Sequence, residues 1–387
     1  MTRFVFALLF LLVISAFPSQ ADDRKWLQHH AERVRLDAIK HNIPGYILVY
    51  VEKGKPSTVY RYGKTEKSGD AIDKDTVFRL ASVSKTFTAL LMAKLVENNQ
   101  LDWQTSISTL APDYGFSQAG LDKMNLGHLV SQSSGFMPNA YDNLIEANYP
   151  VKRVLNMLAD LQPVCSPGKC YTYQNALFAV IEDYFVANKS SYNTELERQV
   201  IKPLRMPHAS AGKAALLSSD KWAKPHIAIT RSKWRKGNVQ SNYYRFSPAA
   251  GVNASIRDME VWLRAMLGEY PEQVNPSLIA TLTAPKVKTK RELNRREWRK
   301  HLQDAYYGLG WRVYDFDGYK LNYHGGWVKG YRADVSFAPD QQVGYAMLMN
   351  AESNLINGFS AEFWEAYFEQ YKKQSSVVGL LDQVSDE

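Results

Sequence analysis

The chain has 387 residues, long enough to bury one large core or two, and shows no internal repeat. Its 47 Lys and Arg outnumber 39 Asp and Glu for a formal charge of +8, a balance suited to anionic partners or acidic substrates. Two cysteines without a nearby histidine pair lack the ligand count of a structural zinc site, so no metal and no cofactor is expected.

Arg3, the apolar run Val5 to Phe17 and the small-residue stretch Ser19-Gln20-Ala21 read as a secretory signal over residues 1–21. The run is too short to span a bilayer comfortably, and no cysteine near the cleavage site offers a lipid anchor. A mature chain starting near Asp22 and placed in the periplasm or outside the cell is therefore expected. Behind such a leader, anionic envelope polymers displace nucleic acid as the partner class for the excess charge.

The next element is a helix from Lys25 to His41, followed by a hairpin of strands Tyr46 to Val51 and Thr58 to Tyr62. Ser82-Val83-Ser84-Lys85 then opens a helix whose Phe87, Leu90, Leu91, Met92, Leu95 and Val96 are apolar nearly all round, the pattern of a buried helix. Residues 101–245 are rich in helix and loop. Within them Cys165 and Cys170 flank a Pro-Gly turn that brings them together, so a disulfide is expected ahead of Tyr173-Gln174-Asn175. Lys286 to Lys300 holds eight Lys or Arg residues against Glu292 and Glu297 and reads as a solvated surface segment. A second basic patch comprises Arg231, Lys233, Arg235 and Lys236 around Trp234. Strand patterns return at Gly310 to Phe316, Lys320 to His324, Tyr331 to Ala338 and Val343 to Asn350, and a helix covers Ser360 to Tyr371. Strands at both ends imply one antiparallel sheet, an α+β architecture. Its lobe comprises residues 22–100 and 246–372, with a helical lobe at 101–245 and a mobile tail at 373–387.

A serine hydroxyl needs an adjacent base to attack, and a lysine three residues on stands on the same helical face. Ser-x-x-Lys occurs four times, at Ser82, Ser166, Ser210 and Ser218, but only Ser82 leads into a buried-type helix. There the lysine needs a partner or loses proton affinity by desolvation, as a base requires. The same tetrapeptide also fits an N-cap serine with a solvated lysine. Tyr-x-Asn occurs at Tyr141 and at Tyr173, and the second stands on a loop entering an apolar segment. His324-Gly325-Gly326 follows a strand and leads into Trp327.

In this order the three elements resemble the penicillin-recognising serine hydrolases, in particular class C β-lactamases, low-molecular-weight DD-peptidases and related D-amino-acid peptidases and esterases. Phe78-Arg79-Leu80-Ala81 before the serine and Leu129 to Gly135 between the motifs match as well, and the similarity runs from about Ile43 to Tyr371. The resemblance implies the serine β-lactamase/DD-peptidase-like fold. It makes Ser82 the acylated nucleophile, Lys85 and Tyr173 the proton-shuttling pair, and Asn175 the residue that orients the substrate amide. Backbone N–H groups of Ser82 and Trp327 would form the oxyanion hole beside Gly326. His324 stands where the family's best-known motif has lysine, and Gly325 where it has a threonine that binds a substrate carboxylate. A protonated His324 or Arg332 would then supply the missing charge.

The leading function is an exported hydrolase that forms an acyl-enzyme on an amide, either a β-lactam or a D-amino-acid peptide. An esterase of the same fold is the first alternative, because the threonine hydroxyl is missing. A non-catalytic penicillin- or peptidoglycan-binding protein is the alternative of another class.

Overall fold

The computed structural model describes residues 24–116 and 121–385, with side chains described to Ser376, so the expected leader at 1–21 lies outside the described residues. Two compact units are distinguished, one spanning Arg35–Ala361 and the other joining the chain start through Val34 with the residues from Glu362 onward. In the smaller unit Trp26 meets Phe363 at 5.5 Å and Tyr367 at 5.7 Å between ring centroids. An Arg33–Glu362 ion pair at 3.1 Å lies at its surface.

The larger unit is built on an eight-stranded antiparallel sheet. Its strands are β1 (Gly45–Glu52), β2 (Thr58–Gly63), β3 (Val287–Lys288), β4 (Leu302–Tyr307), β5 (Arg312–Phe316), β6 (Tyr319–Val328), β7 (Tyr331–Ala338) and β8 (Val343–Met349). The spatial order is β2-β1-β8-β7-β6-β5-β4-β3, so the early hairpin pairs with the last strand through Tyr46↔Met349. The fold is thus α+β, with one sheet contributed by early and late segments as the sequence pattern implies. Apolar runs set the strand order: β1, β7 and β8 are buried almost throughout, as central strands covered on both faces must be.

Two strands of this sheet escaped the sequence reading. Only two residues of β3 join the sheet, and β4 reads Leu-Gln-Asp-Ala-Tyr-Tyr with its polar residues turned outward. The last helix also exceeds its expected span of Ser360 to Tyr371, running from Leu355 to Ser385.

The helix α1 (Lys25–Lys40) precedes β1, and α2 (Ser84–Glu97) carries the serine-lysine motif. Nearly every side chain of α2 is buried, including Lys85. The helix α4 (Ile256–Met266) follows α3 (Asp142–Glu146) and packs on β1, β7 and β8, stacking Trp262 on Phe87 of α2 at 3.9 Å. A capping box between Ser255 and Asp258 starts α4. The helix α5 (Leu355–Ser385) ends the described chain.

Candidate active site

Ser82 lies at a forced bend. Ala81 has φ of +50°, a left-handed conformation that costs a non-glycine residue about 1–2 kcal/mol. The bend turns the chain from the short strand Phe78–Arg79 into the helical turn that carries Ser82 and then into α2. The second motif glycine explains how β6 reaches this turn. A Cβ on Gly326 would sit 2.2 Å from the Leu80 carbonyl oxygen, so only glycine lets the strand pass there. Ser82 is half-buried and lines a cleft of about 1360 Å³.

Lys85 sits beneath it with no exposed surface. Its Nζ donates to Asn175 Oδ1 at 2.7 Å and to the Ala249 carbonyl at 3.0 Å, and lies 3.2 Å from Ser82 Oγ. Burial lowers the proton affinity of this lysine, the positive Arg312 adds to that, and Tyr173 and Asp142 oppose it. The partner set suits the neutral amine. Two partners are acceptors and take both N–H groups, which leaves the nitrogen lone pair facing the Ser82 hydroxyl.

The Tyr173 loop is held by the segment between the motifs. Gln132 brackets Gln174: its side-chain oxygen accepts from the Gln174 N–H at 2.6 Å and its amide donates to the Gln174 carbonyl at 3.2 Å. The Thr172 N–H donates to the Gln132 carbonyl at 2.7 Å, and the Gly168 N–H to that of Ser133 at 2.7 Å. The expected disulfide closes this loop, joining Cys165 and Cys170 with Cα atoms 6.3 Å apart. These ties place the Tyr173 ring 4.8 Å from Lys85 Nζ.

Asn175 uses both ends of its amide inside the protein, accepting from Lys85 and donating through Nδ2 to Asp142 Oδ2 at 2.8 Å. Asp142 comes from the rival Tyr141-Asp142-Asn143 triplet. Tyr141, with φ of +64°, precedes α3, so the triplet contributes its carboxylate to the site, and Asn143 is exposed. Burial pushes the Asp142 carboxyl up to about 6, against the pull of Asn175 and Lys85. Lysines of the other Ser-x-x-Lys matches are engaged elsewhere or line the rim: Lys221 pairs with Asp73 at 2.6 Å, and Lys169 edges the cleft.

The third motif differs from expectation. Gly325, Gly326 and Trp327 line the cleft, and Trp327 is 63% exposed. His324 is fully buried, between the Tyr307 hydroxyl at 3.0 Å from Nε2 and the Gly325 carbonyl at 2.9 Å from Nδ1. A carbonyl only accepts, so Nδ1 carries the proton and Nε2 accepts from Tyr307. Burial, with Arg312 and Lys85 adding their positive charge, holds its pKa well below the usual 6.5. A neutral imidazole presents no charge to a substrate, which corrects the expectation of a titrating imidazolium in the cleft.

Arg332 lines the cleft but is tied back, donating through Nε to the Ser353 carbonyl at 3.2 Å and through its fork to Asn354. Its guanidinium lies 5.2 Å from the Trp327 ring centroid.

The basic segment is exposed at every Lys and Arg but Arg295, as a solvated run implies, and it also borders the cleft: Val287 to Glu292 and Arg295 line the cavity. Arg295 and Arg312 share one carboxylate, Glu292, at 3.3 Å and 3.4 Å. Burial alone would raise the Glu292 carboxyl, but these guanidiniums and the Tyr314 hydroxyl hold it down to about 2. Asp142, Ala249, Glu292, Arg295 and Arg312 were not singled out from sequence as site residues. The unusual density of charge at 286–300 was the available signal for two of them.

Known proteins resemble this chain in sequence and in fold. The sequence profile of the family described as Beta-lactamase matches residues 24–360. Protein Flp of Staphylococcus aureus strain NCTC 8325 is 23% identical over 368 residues, which cover 91% of this chain and 68% of that protein. Unguisins hydrolase ungD' of Aspergillus campestris is 20% identical over 346 residues, covering 86% of this chain and 63% of that protein. The octameric penicillin-binding protein homologue from Pyrococcus abyssi shares the fold, with a TM-score of 0.75 over 84% of this chain and 73% of that one at 19% identity.

Proposed function

The chain belongs to the Beta-lactamase family, and from that premise we propose that it is an exported serine hydrolase of the class C β-lactamase/DD-peptidase type. Ser82 is its acylated residue, and its substrate is an amide, either a β-lactam or a D-amino-acid peptide. The observation that carries this reading is the contact set of Lys85, with two carbonyl-type acceptors and Ser82 Oγ at 3.2 Å. Neutral Lys85 takes the Ser82 proton as Oγ attacks the carbonyl. The N–H groups of Ser82 and Trp327 receive the developing oxyanion. Tyr173, beside Lys85, passes the proton to the leaving nitrogen, and water then releases the acyl group from Ser82 by the reverse path.

An esterase of the same fold is the second reading. The threonine hydroxyl is absent from the third motif and His324 is neutral, both of which favour a leaving group with no carboxylate. Export rests on the leader-like stretch at 1–21, and the disulfide fits an oxidising compartment. Contact with anionic envelope polymers is assigned to the hairpin His226–Thr230 and Lys233–Lys236, where Lys233, Arg235 and Lys236 are exposed.

Incubation of the purified protein with a fluorescent penicillin and a chromogenic cephalosporin tests the reading. Covalent label on Ser82 with cephalosporin turnover supports a β-lactamase. Label without turnover supports a peptidase or binding protein. Hydrolysis of simple esters with no label on Ser82 from either β-lactam moves the protein to the esterase reading.

A further inference from the structure

The cations assigned above to envelope contact share their surface with exposed aliphatic side chains. The hairpin His226–Thr230 and Lys233–Lys236 holds Arg231, Lys233, Arg235 and Lys236 and has no acidic residue of its own. Lys236 pairs with Glu66 at 2.5 Å, and Arg231, Lys233 and Arg235 have no ion-pair partner among the described residues. Ile229 stands among them, 52% exposed. It falls where the register slips between Ala228 and Thr230, an irregularity that re-aims a side chain out of its ladder. From Arg35 onward α1 belongs to the larger unit, and there the hairpin tip is fixed against its end. Ser232 Oγ meets His41 Nδ1 at 3.1 Å, the Trp234 indole N–H donates to the His41 carbonyl at 3.0 Å, and Asn42 Nδ2 donates to the Ser232 carbonyl at 3.2 Å. Just before these residues, Leu36, Ile39 and Lys40 share one face of α1 by their spacing. Leu36 and Ile39 are 53% and 43% exposed.

Aliphatic side chains scattered singly over a surface need no explanation, but gathered beside a cluster of free cations they mark an interaction site. Its two components narrow the partner. A soluble polyanion satisfies the cations and leaves the aliphatic groups in water. A second copy of this chain covers the aliphatic groups but sets cations against cations. A bilayer with anionic headgroups takes both, phosphates meeting the cations while aliphatic tips enter the headgroup–acyl boundary. We propose that this patch seats the protein on an anionic phospholipid surface. Ile229, Ile39 and Leu36 enter the boundary, and Arg231, Lys233, Arg235 and Lys40 reach the phosphates on their long apolar stems. The surface is already shaped for this, because the hairpin is held at both ends: the His226 N–H at its base bonds to the Gly330 and Asn350 carbonyls at 3.2 Å and 3.1 Å. The proposal is independent of the chemistry at Ser82.

Sedimentation of the purified exported protein with lipid vesicles tests it, comparing phosphatidylglycerol and phosphatidylcholine in about equal parts with phosphatidylcholine alone. The protein should bind the anionic vesicles only, and Arg231→Gln, Lys233→Gln and Arg235→Gln together should weaken that binding at least about tenfold. Ile229→Ser combined with Ile39→Ser should weaken it to a similar degree while leaving affinity for dextran sulfate, a soluble polyanion, unchanged. No binding to anionic vesicles overturns the proposal. Vesicle binding that the two serine substitutions leave intact overturns it too, and leaves the polymer contact proposed above standing. A second measurement does not depend on loss of binding. Both cysteines are in the disulfide, so Ile229→Cys carries a polarity-sensitive dye as the single labelled thiol. Its emission should brighten and shift to the blue on anionic vesicles. The same dye at Val186→Cys, on the helix Ala179–Ala187 and also exposed, should not respond. No response at position 229, or equal responses at the two positions, overturns the proposal.

Discussion

Lys85 and Asn175 are joined by a 2.7 Å hydrogen bond, the shortest of the three contacts made by the lysine nitrogen. Asn175 in turn donates to Asp142, so the amide is fixed with its oxygen toward the lysine, and it keeps one Nδ2 hydrogen and one oxygen lone pair beyond these two bonds. Lysine, amide and carboxylate form one line of charge and dipole under the cleft, and the experiments below address its members.

Ser82 and Ser84 are two residues apart and do different things. Ser84 Oγ is buried and accepts the Val252 N–H at 2.9 Å. Ser84→Ala should therefore cost about 1–3 kcal/mol of stability, by leaving that N–H unpaired, and still permit acylation. Ser82→Ala should fold normally and lose both label and turnover. Mass spectrometry of intact protein after β-lactam treatment, beside urea denaturation, separates the two; label surviving in Ser82→Ala would relocate the nucleophile.

Lys85→Ala and Tyr173→Phe should each slow acylation by about 10²- to 10⁴-fold. Their double variant should be little worse than either, because both serve one proton path. Tyr141→Phe should have a small effect, since Tyr141 packs against the core. Stopped-flow labelling rates give the comparison, and multiplicative losses in the double variant would show that the two residues act separately.

Asp142 links stability to pH. Its carboxyl titrates at about 6 in the fold against an ordinary 3.8, so the folded state disfavours its ionisation. The sign follows: the full stability is present below the ordinary value and is lost as pH rises through about 6. Asp142→Asn keeps an acceptor for Asn175 and removes this penalty, and should raise stability at pH 8 by roughly 2–3 kcal/mol, with a smaller gain at pH 5. It also removes a charge that opposes deprotonation of Lys85, so the alkaline rise in acylation rate should move to lower pH. Denaturation at the two pH values and a labelling-rate profile check both statements; an unchanged profile would mean Asp142 does not reach the lysine electrostatically.

His324 should remain neutral from pH 8 down to 5.5, because its folded pKa lies well below 6.5. A ¹⁵N-imidazole titration, with the resonance assigned through His324→Gln, should show one Nδ1–H tautomer throughout. Protonation near 6.5 would restore the imidazolium to the cleft. By the same geometry, a decline in activity on anionic substrates through that range would have to come from another group.

Much of this was legible in the sequence because it depends on local pattern. Ser82 stood out from three other Ser-x-x-Lys matches through the all-round apolar helix behind it, and α2 is buried accordingly. The disulfide followed from a Pro-Gly turn between two cysteines. What escaped depends on residues far apart in the chain. The Ala249 carbonyl reaches Lys85 across 164 positions, and no side-chain motif marks a carbonyl. Arg295 looked like one more solvated cation, yet tyrosines from two strands and Glu292 cover it. For His324, the direction of the imidazole is set by its place in β6 and by Tyr307 from β4, a strand the hydropathy pattern hid.

The pairing of β1 with β8 joins residues such as Tyr46 and Met349, which lie about 300 positions apart. Closing so long a loop costs roughly 5 kcal/mol of chain entropy before any strand contact repays it. Non-local pairing of this kind slows folding, and β1 can take its place between β2 and β8 only once the last strand has been made. A chain that has emerged only as far as α2 therefore carries the serine turn without the strand that borders it, because β6, whose glycines let it pass that turn, lies about 240 positions later. An incomplete chain thus carries the nucleophile but no working cleft.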